Sequence, residues 1–210
     1  MAEVEERQDR VFTVGHSNHT AEYFISLLAK HGVTALADVR SAPHSRFSPQ
    51  FGKERIRRSL KDAGIKYVFL GRELGARTND PTCYQDGQVR YDRLARTELF
   101  RDGIERVVVG CASESVALMC TERDPLDCHR TLLVARSLVE RGFHVDHILA
   151  DATLETYEDS MIRLLDKVGQ PPPDFFTSAS ERIEEALQKQ EARIAYVDKT
   201  LAASSESAIP

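Results

Sequence analysis

The chain of 210 residues is 41% hydrophobic and 29% charged, with a formal net charge of -5, which suits one domain able to bury its own core plus some appended sequence. It contains no apolar run of the ~18 residues that a membrane helix needs, and its opening, MAEVEERQDR, lacks the apolar stretch of a secretory signal. Its four cysteines show no tight repeated spacing, which argues against a disulfide scaffold and for reduced thiols in a cytoplasmic protein.

After a polar tail over residues 1–10, strand and helix patterns alternate through the chain. VFTVG at Val11–Gly15 reads as a first strand, and Thr20 caps the helical run AEYFISLLAKHG, which ends at Gly32. Val33–Val39 is a second strand, Lys53–Ala63 a basic helix, and Ile65–Leu70 a third strand. Residues 71–90 read as one long loop, and the stretch from Val89 to about Cys111 as a helix in two pieces broken near Gly103. SVALMC at Ser115–Cys120 is the most apolar strand and is expected at the centre. Asp124 as N-cap and Pro125 in the first turn then start a helix running to Gly142. Phe143–Ala150 is a fifth strand and Thr156–Val168 the last helix of the domain. Strands joined by helices predict a mostly parallel five-stranded sheet with helices on both faces, a three-layer Rossmann-like or rhodanese-like α/β domain over residues 11–169.

A Pro-rich linker follows at 170–179, then an amphipathic helix at 180–202 and a tail at 203–210 expected to be disordered. Ile183, Leu187, Gln190, Ile194, Val197 and Leu201 form a stripe with one polar interruption, which would pack on the domain or make a homodimer.

In open α/β sheets ligands bind at the carboxyl ends of the strands. His16 and Ser17 follow the first strand; Arg40, Ser41 and Arg46 the second; Arg72 and Glu73 the third; and Cys120, Glu122, Cys128, His129 and Arg130 the fourth. A cysteine between a strand end and a helix amino terminus faces partial positive charge, which favours the thiolate. Cys120 holds that position, whereas Cys128 shares helical spacing with Leu132, Ala135 and Val139 and is also compatible with the core. Between Arg40 and Lys66, eight Lys or Arg meet only Glu54 and Asp62, a local charge of +6 within a chain of -5. That contrast points to a local anionic partner, or more plainly to a solvated helix face with some ion pairs.

VALMC, a loop, and TLLVARSLVERGFHVDHI resemble the strand–cysteine–loop–helix–Gly–strand pattern of rhodaneses, and ALADVRS resembles their DVR-type strand. A cysteine phosphatase is disfavoured, because the arginine it needs six positions after the cysteine is here Leu126. More widely, TVGHSNHT, ADVRSAPHSRFSPQF, LGRELGAR and ALMCTERDPLDCHR, in this order, resemble the domain-of-unknown-function family 488. The resemblance implies a compact α/β domain and a cytoplasmic bacterial or archaeal protein, and it implies no particular reaction. Its signature maps onto His16, Ser17, Asp38, Arg40, Ser41, Arg46, Gly71, Glu73, Leu74, Gly75, Cys120, Glu122, Pro125, Cys128, His129 and Arg130.

Three functional classes follow. The first is a cysteine-dependent, sulfurtransferase-like enzyme for an anionic small molecule, needing no cofactor. Cys120 would be its nucleophile with Cys128 and His129 beside it, and His16, Ser17, Arg40, Ser41, Arg46, Arg72, Glu73, Glu122 and Arg130 would form the substrate pocket. The second is a non-catalytic module binding nucleotide or nucleic acid through the Arg40–Lys66 segment. The third is a zinc or iron protein using Cys120, Cys128, His129 and His16, against which stands the divergence of adjacent residues on a helix.

Overall fold

The computed structural model describes residues 9–44, 46–171 and 177–206. The expected amino-terminal tail up to residue 8, residues 172–176 of the Pro-rich linker and residues 207–210 lie outside the described residues.

The main sheet is built from β1 (Arg10–Gly15), β2 (Ala35–Asp38), β3 (Lys66–Phe69), β6 (Val116–Cys120), β7 (His144–Ile148) and β8 (Leu154–Thr156) in the order β3-β2-β6-β1-β7-β8. Five strands are parallel, as expected, and β8 adds a short antiparallel edge against β7. Three residues are too few to show an alternating pattern, so β8 carries no sequence signal of its own. Helices α1 (Ala21–Lys30) and α2 (Lys53–Asp62) cover one face, where Phe24, Leu27, Leu28, Ile56 and Leu60 meet Phe12, Val14, Leu36 and Met119. The other face is covered by α4 (Glu98–Cys111), by a helix that opens as a π turn at Arg130–Ala135 and continues as α5 (Arg136–Val139), and by α6 (Tyr157–Lys167). Thr20 and Thr156 cap α1 and α6, with their hydroxyls accepting the Tyr23 and Asp159 amides.

The stretch after β3 differs from expectation. It contains a small hairpin, β4 (Tyr84–Gln85) and β5 (Gln88–Val89), turning through Asp86 and Gly87 at φ 50° and 76°. The helical stretch is indeed in two pieces, α3 (Tyr91–Leu94) and α4, but the break lies at residues 95–97, where Thr97 caps α4. Gly103 sits inside α4, because a Cβ there would lie 2.7 Å from the side chains of Glu73 and Leu74. Glycine at this position permits close packing and does not end the helix.

The carboxyl-terminal segment is also two helices, α7 (Ala179–Ile194) and α8 (Lys199–Glu206). Ala195 is extended, the Val89 amide donates to the Tyr196 carbonyl, and Val197 bridges to Gln88, so the hairpin splits the expected single helix. α8 runs through Glu206, into the segment expected to be disordered. Ala186 and Leu187 are buried against the domain core. Of the expected stripe, Leu187 and Gln190 are buried within the chain, Ile183, Ile194 and Leu201 are partly buried, and Val197 is exposed.

A buried polar cluster lies under α6. His147, with no exposed surface, bonds Thr13 Oγ1 at 2.8 Å through Nδ1 and Ser160 Oγ at 3.3 Å through Nε2. Burial, reinforced by the Arg130 charge, pushes its pKa down to about 3, and burial beside Arg40 pushes His16 down to about 4. Both rings are therefore neutral in the folded protein but take up protons below about 6.5 when unfolded. Their share of stability is complete above that pH and is lost as pH falls toward 4 and 3. The ring signals of His147 in an NMR titration are expected to keep their neutral-form positions from pH 7 to 4 while the urea midpoint declines. A ring that titrates near 6.5 in the folded protein would contradict the burial argument.

Gly15 ends β1 at a point where a Cβ would lie 1.8 Å from the Glu122 carbonyl oxygen. Backbone cannot retreat from such a contact cheaply. Gly15→Ala is expected to cost about 2–4 kcal/mol, read as a lower urea midpoint at unchanged slope. An unchanged midpoint would mean that the turn after β6 is free to move.

Candidate functional site

β1 and β6 are neighbours at the centre of the sheet, and their connections leave toward opposite faces. Such a reversal opens a crevice at the carboxyl ends of the two strands. The His16 and Ser17 amides donate to the carbonyls of Cys120 and Thr121 at 2.9 Å each, closing the turn after β6 against β1. Ser17 is left-handed at φ 47°, an uncommon state for a residue with a side chain.

The junction after β6 is not the continuous helix expected from Asp124. Asp124 caps only one 3-10 turn, Pro125–Asp127, by accepting the Leu126 amide. Arg163 and Lys167 of α6 hold the same carboxylate, at 3.0 and 2.7 Å. Gln190 of α7, itself buried, donates to the Leu126 carbonyl at 3.0 Å and to Asp127 at 2.9 Å. The turn is held from outside, so the chain re-extends at Cys128 (φ -140°, ψ 139°) and starts a helix again. Cys128 thus caps this second helix: its carbonyl accepts the Thr131 amide at 3.1 Å and its Sγ the Arg130 amide at 3.4 Å.

This break overturns the expectation that Cys128 and His129 diverge on a helix. His129 Nδ1 lies 3.8 Å from Cys120 Sγ and 3.9 Å from Cys128 Sγ, and the three atoms lie within 4.8 Å of one another. His129 Nε2 donates to the Val39 carbonyl at 3.1 Å, which turns Nδ1 toward the sulfurs. Both thiols are buried, and His129 is half-buried.

The two cysteines split in acidity. Burial disfavours a charge on Cys128. The hydrogen bond from Cys120, the Arg130 charge and His129 outweigh it and hold Cys128 well below the usual thiol value. Cys120 is pushed up by bonding to Cys128 and by burial, and stays a thiol. His129 is raised despite burial, because it faces Cys128. Burial and the Cys128 charge also raise Glu122, whose Oε2 is buried without a hydrogen-bond partner.

The remaining site candidates scatter. Arg130 is fully buried, donating to the Glu122 and Arg123 carbonyls at 2.7 and 3.4 Å while its Nε has no partner, so it clamps the turn while placing charge beside Cys128. Arg40 is buried in a two-toothed ion pair with Asp38, at 2.9 and 2.7 Å, and also donates to His16 Nε2 at 3.1 Å and to the Phe51 carbonyl at 2.9 Å. Tyr67 adds a bond to Asp38 at 2.8 Å. His16 directs Nδ1 at the Ser17 carbonyl and stacks on Phe51. With both ring nitrogens engaged, His16 stands outside the cysteine cluster, contrary to the four-ligand expectation. Ser41 Oγ accepts the Arg77 amide, Glu73 pairs with Arg106 of α4, and Arg46 and Arg72 are exposed. Arg72 and Glu73 follow β3, which β2 separates from β6.

Tyr91 and Gln190 were not anticipated. Tyr91 is buried, which pushes its hydroxyl pKa up, and the negative charges of Cys128 and Glu191 add to that shift. It also lines a cavity of about 620 Å³ together with Leu132, Leu133 and Arg136; neither cysteine is in that cavity's wall. Gln190 was visible as the one polar residue in the carboxyl-terminal stripe.

Because Cys128 is the depressed thiol, a small alkylating reagent is expected to modify it first, with a pH midpoint below that of free cysteine, about 8.5. Cys120→Ala should raise that midpoint by removing the donated hydrogen bond. Peptide mass spectrometry over a pH series measures both, and modification of Cys120 ahead of Cys128 would reverse the assignment.

The model for the family described as "Domain of unknown function DUF488" matches residues 20–137, from the cap of α1 through the cysteine cluster into α5. No curated protein and no solved structure matches the chain. The matched span covers more than half of the sequence and contains Cys120, Glu122, Cys128, His129 and Arg130; the chain belongs to the DUF488 family.

Proposed function

We propose that the protein is a cysteine-dependent enzyme acting on a small anionic molecule, with sulfur transfer as its chemistry. The observation that carries this reading is the seat of Cys128: its sulfur caps a helix, receives the Arg130 amide and lies beside His129. A thiolate so held is a nucleophile, and the Arg130 charge favours an anion's approach. Cys128, not the strand-end Cys120, is then the attacking group, with Cys120 as the proton-bearing neighbour. The Cys128 thiolate would attack the outer sulfur of a thiosulfate-like donor. A new S–S bond forms, the donor's S–S bond breaks, sulfite leaves with the electron pair, and Cys128 carries a persulfide. Glu122, half-buried with its raised pKa, is suited to shuttle a proton to the acceptor.

A second reading rests on His129. A neutral ring donating through Nε2 to a backbone carbonyl and facing two sulfurs through Nδ1 is how a metal-bound histidine is oriented. Zn–S near 2.3 Å and Zn–N near 2.0 Å put tetrahedral donors about 3.6 Å apart, close to the spacing here. Cys120, Cys128 and His129 would be the ligands of zinc or iron, with no role for His16.

Incubation of the native protein with thiosulfate is expected to add the mass of one sulfur atom to the Cys128 peptide, and Cys128→Ser to abolish the adduct. Metal analysis of the same preparation separates the readings. One zinc or iron per chain, lost in Cys128→Ser, with no adduct, would replace the enzyme by a metal centre.

A further inference from the structure

We infer that the outer face of α2, with the adjoining Arg46–Phe47 corner, is a docking surface for single-stranded nucleic acid. The inference does not depend on the chemistry of the cysteines.

α2 has the sequence KERIRRSLKD and commits only Ile56 and Leu60 to the core. Arg55, Arg57, Arg58 and Lys61 are exposed, as is Arg46 in the loop before the helix. The plain expectation for such a stretch was a solvated face with ion pairs, yet among the described residues none of these five cations has an ion-pair partner. Some cations elsewhere are paired, as Arg10 is with Asp146, Arg136 with Glu184 and Arg163 with Asp124, while others, such as Arg72, Arg101 and Arg123, stand singly among the described residues on other parts of the surface; what sets α2 apart is that its cations are gathered on one short helix. Four exposed cations on α2 against its two exposed acids, Glu54 and Asp62, leave a local positive excess on a chain of net charge -5, which suits a local anionic partner. From Arg55 to Lys61 the helix carries these charges over about 9 Å, room for two successive phosphates, with Arg46 beyond them.

Phe47 selects the class of partner. It is 98% exposed, directly beside Arg46, and among the described residues it makes no ring or cation contact. Phe69, by contrast, lies under Lys53 at 4.3 Å. An open aromatic face next to cations is how a protein holds an unpaired base, by stacking on the ring while the backbone follows the charge. A duplex keeps its base faces covered and has no use for that ring. The residues on either side of this corner are anchored: Ser48 donates to the Ser17 carbonyl at 3.4 Å, Gln50 to the His19 carbonyl at 2.8 Å, and the Lys53 amide to the Pro43 carbonyl at 3.0 Å.

Fluorescence anisotropy on the full chain tests this with labelled single-stranded RNA and DNA oligonucleotides, a duplex of the same length, heparin and anionic phospholipid vesicles. Single strands are expected to bind with a Kd on the order of 1–100 μM at physiological salt, weakening with a log–log salt slope of roughly -2 to -3, for three or four neutralised phosphates. The double variant Arg57→Glu, Arg58→Glu should abolish binding. Phe47→Ala should weaken single-strand binding by about tenfold with its salt slope kept. All of these side chains are exposed, so melting curves should be unchanged. Absence of single-strand binding at low salt overturns the inference. So does equal affinity for duplex or heparin with Phe47→Ala silent, which would mark an unselective polyanion surface, or binding to vesicles alone, which would mark a membrane surface.

Discussion

The return of Cys128 to extended backbone between two helical pieces is the constraint on which the site depends. Had the helix run on from Asp124, Cys128 would have joined the apolar face of Leu132 and Ala135, and His129 would have pointed elsewhere. The break removes Cys128 from that face and sets its sulfur on the amide of Arg130. It also turns His129 back toward Cys120. Two buried sulfurs and a half-buried imidazole then stand together, with the half-buried Glu122 carboxylate near enough to feel the Cys128 charge. The charge on Cys128 would be costly there alone and is tolerable only through its neighbours. The result is a division of labour, with one sulfur a donor, the other an acceptor, and the ring between them.

A second polar group, Asp38, Arg40, His16 and Tyr67, supports the first without belonging to it. Arg40 satisfies both Asp38 oxygens and fixes His16 in the form with its proton on Nδ1. Asp38 and Arg40 flank Val39, whose carbonyl receives the His129 ring. The buried ion pair thus holds the residue that orients the imidazole. Arginines that face an anion in a substrate complex usually keep donors free. Here Arg40 bonds internally through all three of its nitrogens, and Arg130 has spent one N–H of each terminal nitrogen on carbonyls while its Nε is buried without a partner.

Much of this was legible in local sequence. The strand at Val116–Cys120, the caps at Thr20 and Thr156, and the gathering of ionisable residues at strand ends all follow from short-range chemistry, and they locate the site to one edge of the sheet. The site's inner geometry was not legible, because its causes are remote. Pro125 after Asp124 reads as a helix start, and nothing nearby says that Arg163, Lys167 and Gln190 will hold that turn to a single loop of chain. Arg40 reads as an anion-binding arginine because its partner Asp38 lies two residues back in a strand and looks like core. The Asp86–Gly87 turn was readable, since that dipeptide favours a tight hairpin, but its flanking strands of two residues each hid it.

Gln190 lies far beyond residue 137, where the family match ends, yet its amide grips the turn that sets Cys128. The family-matched span and its appendage are therefore one mechanical unit. A chain sharing only the matched span must brace that turn by another route, or leave its second cysteine inside an uninterrupted helix. What reads as an accessory tail is, for this member, a splint across the site, and any change that loosens its docking acts on the cysteines without touching them.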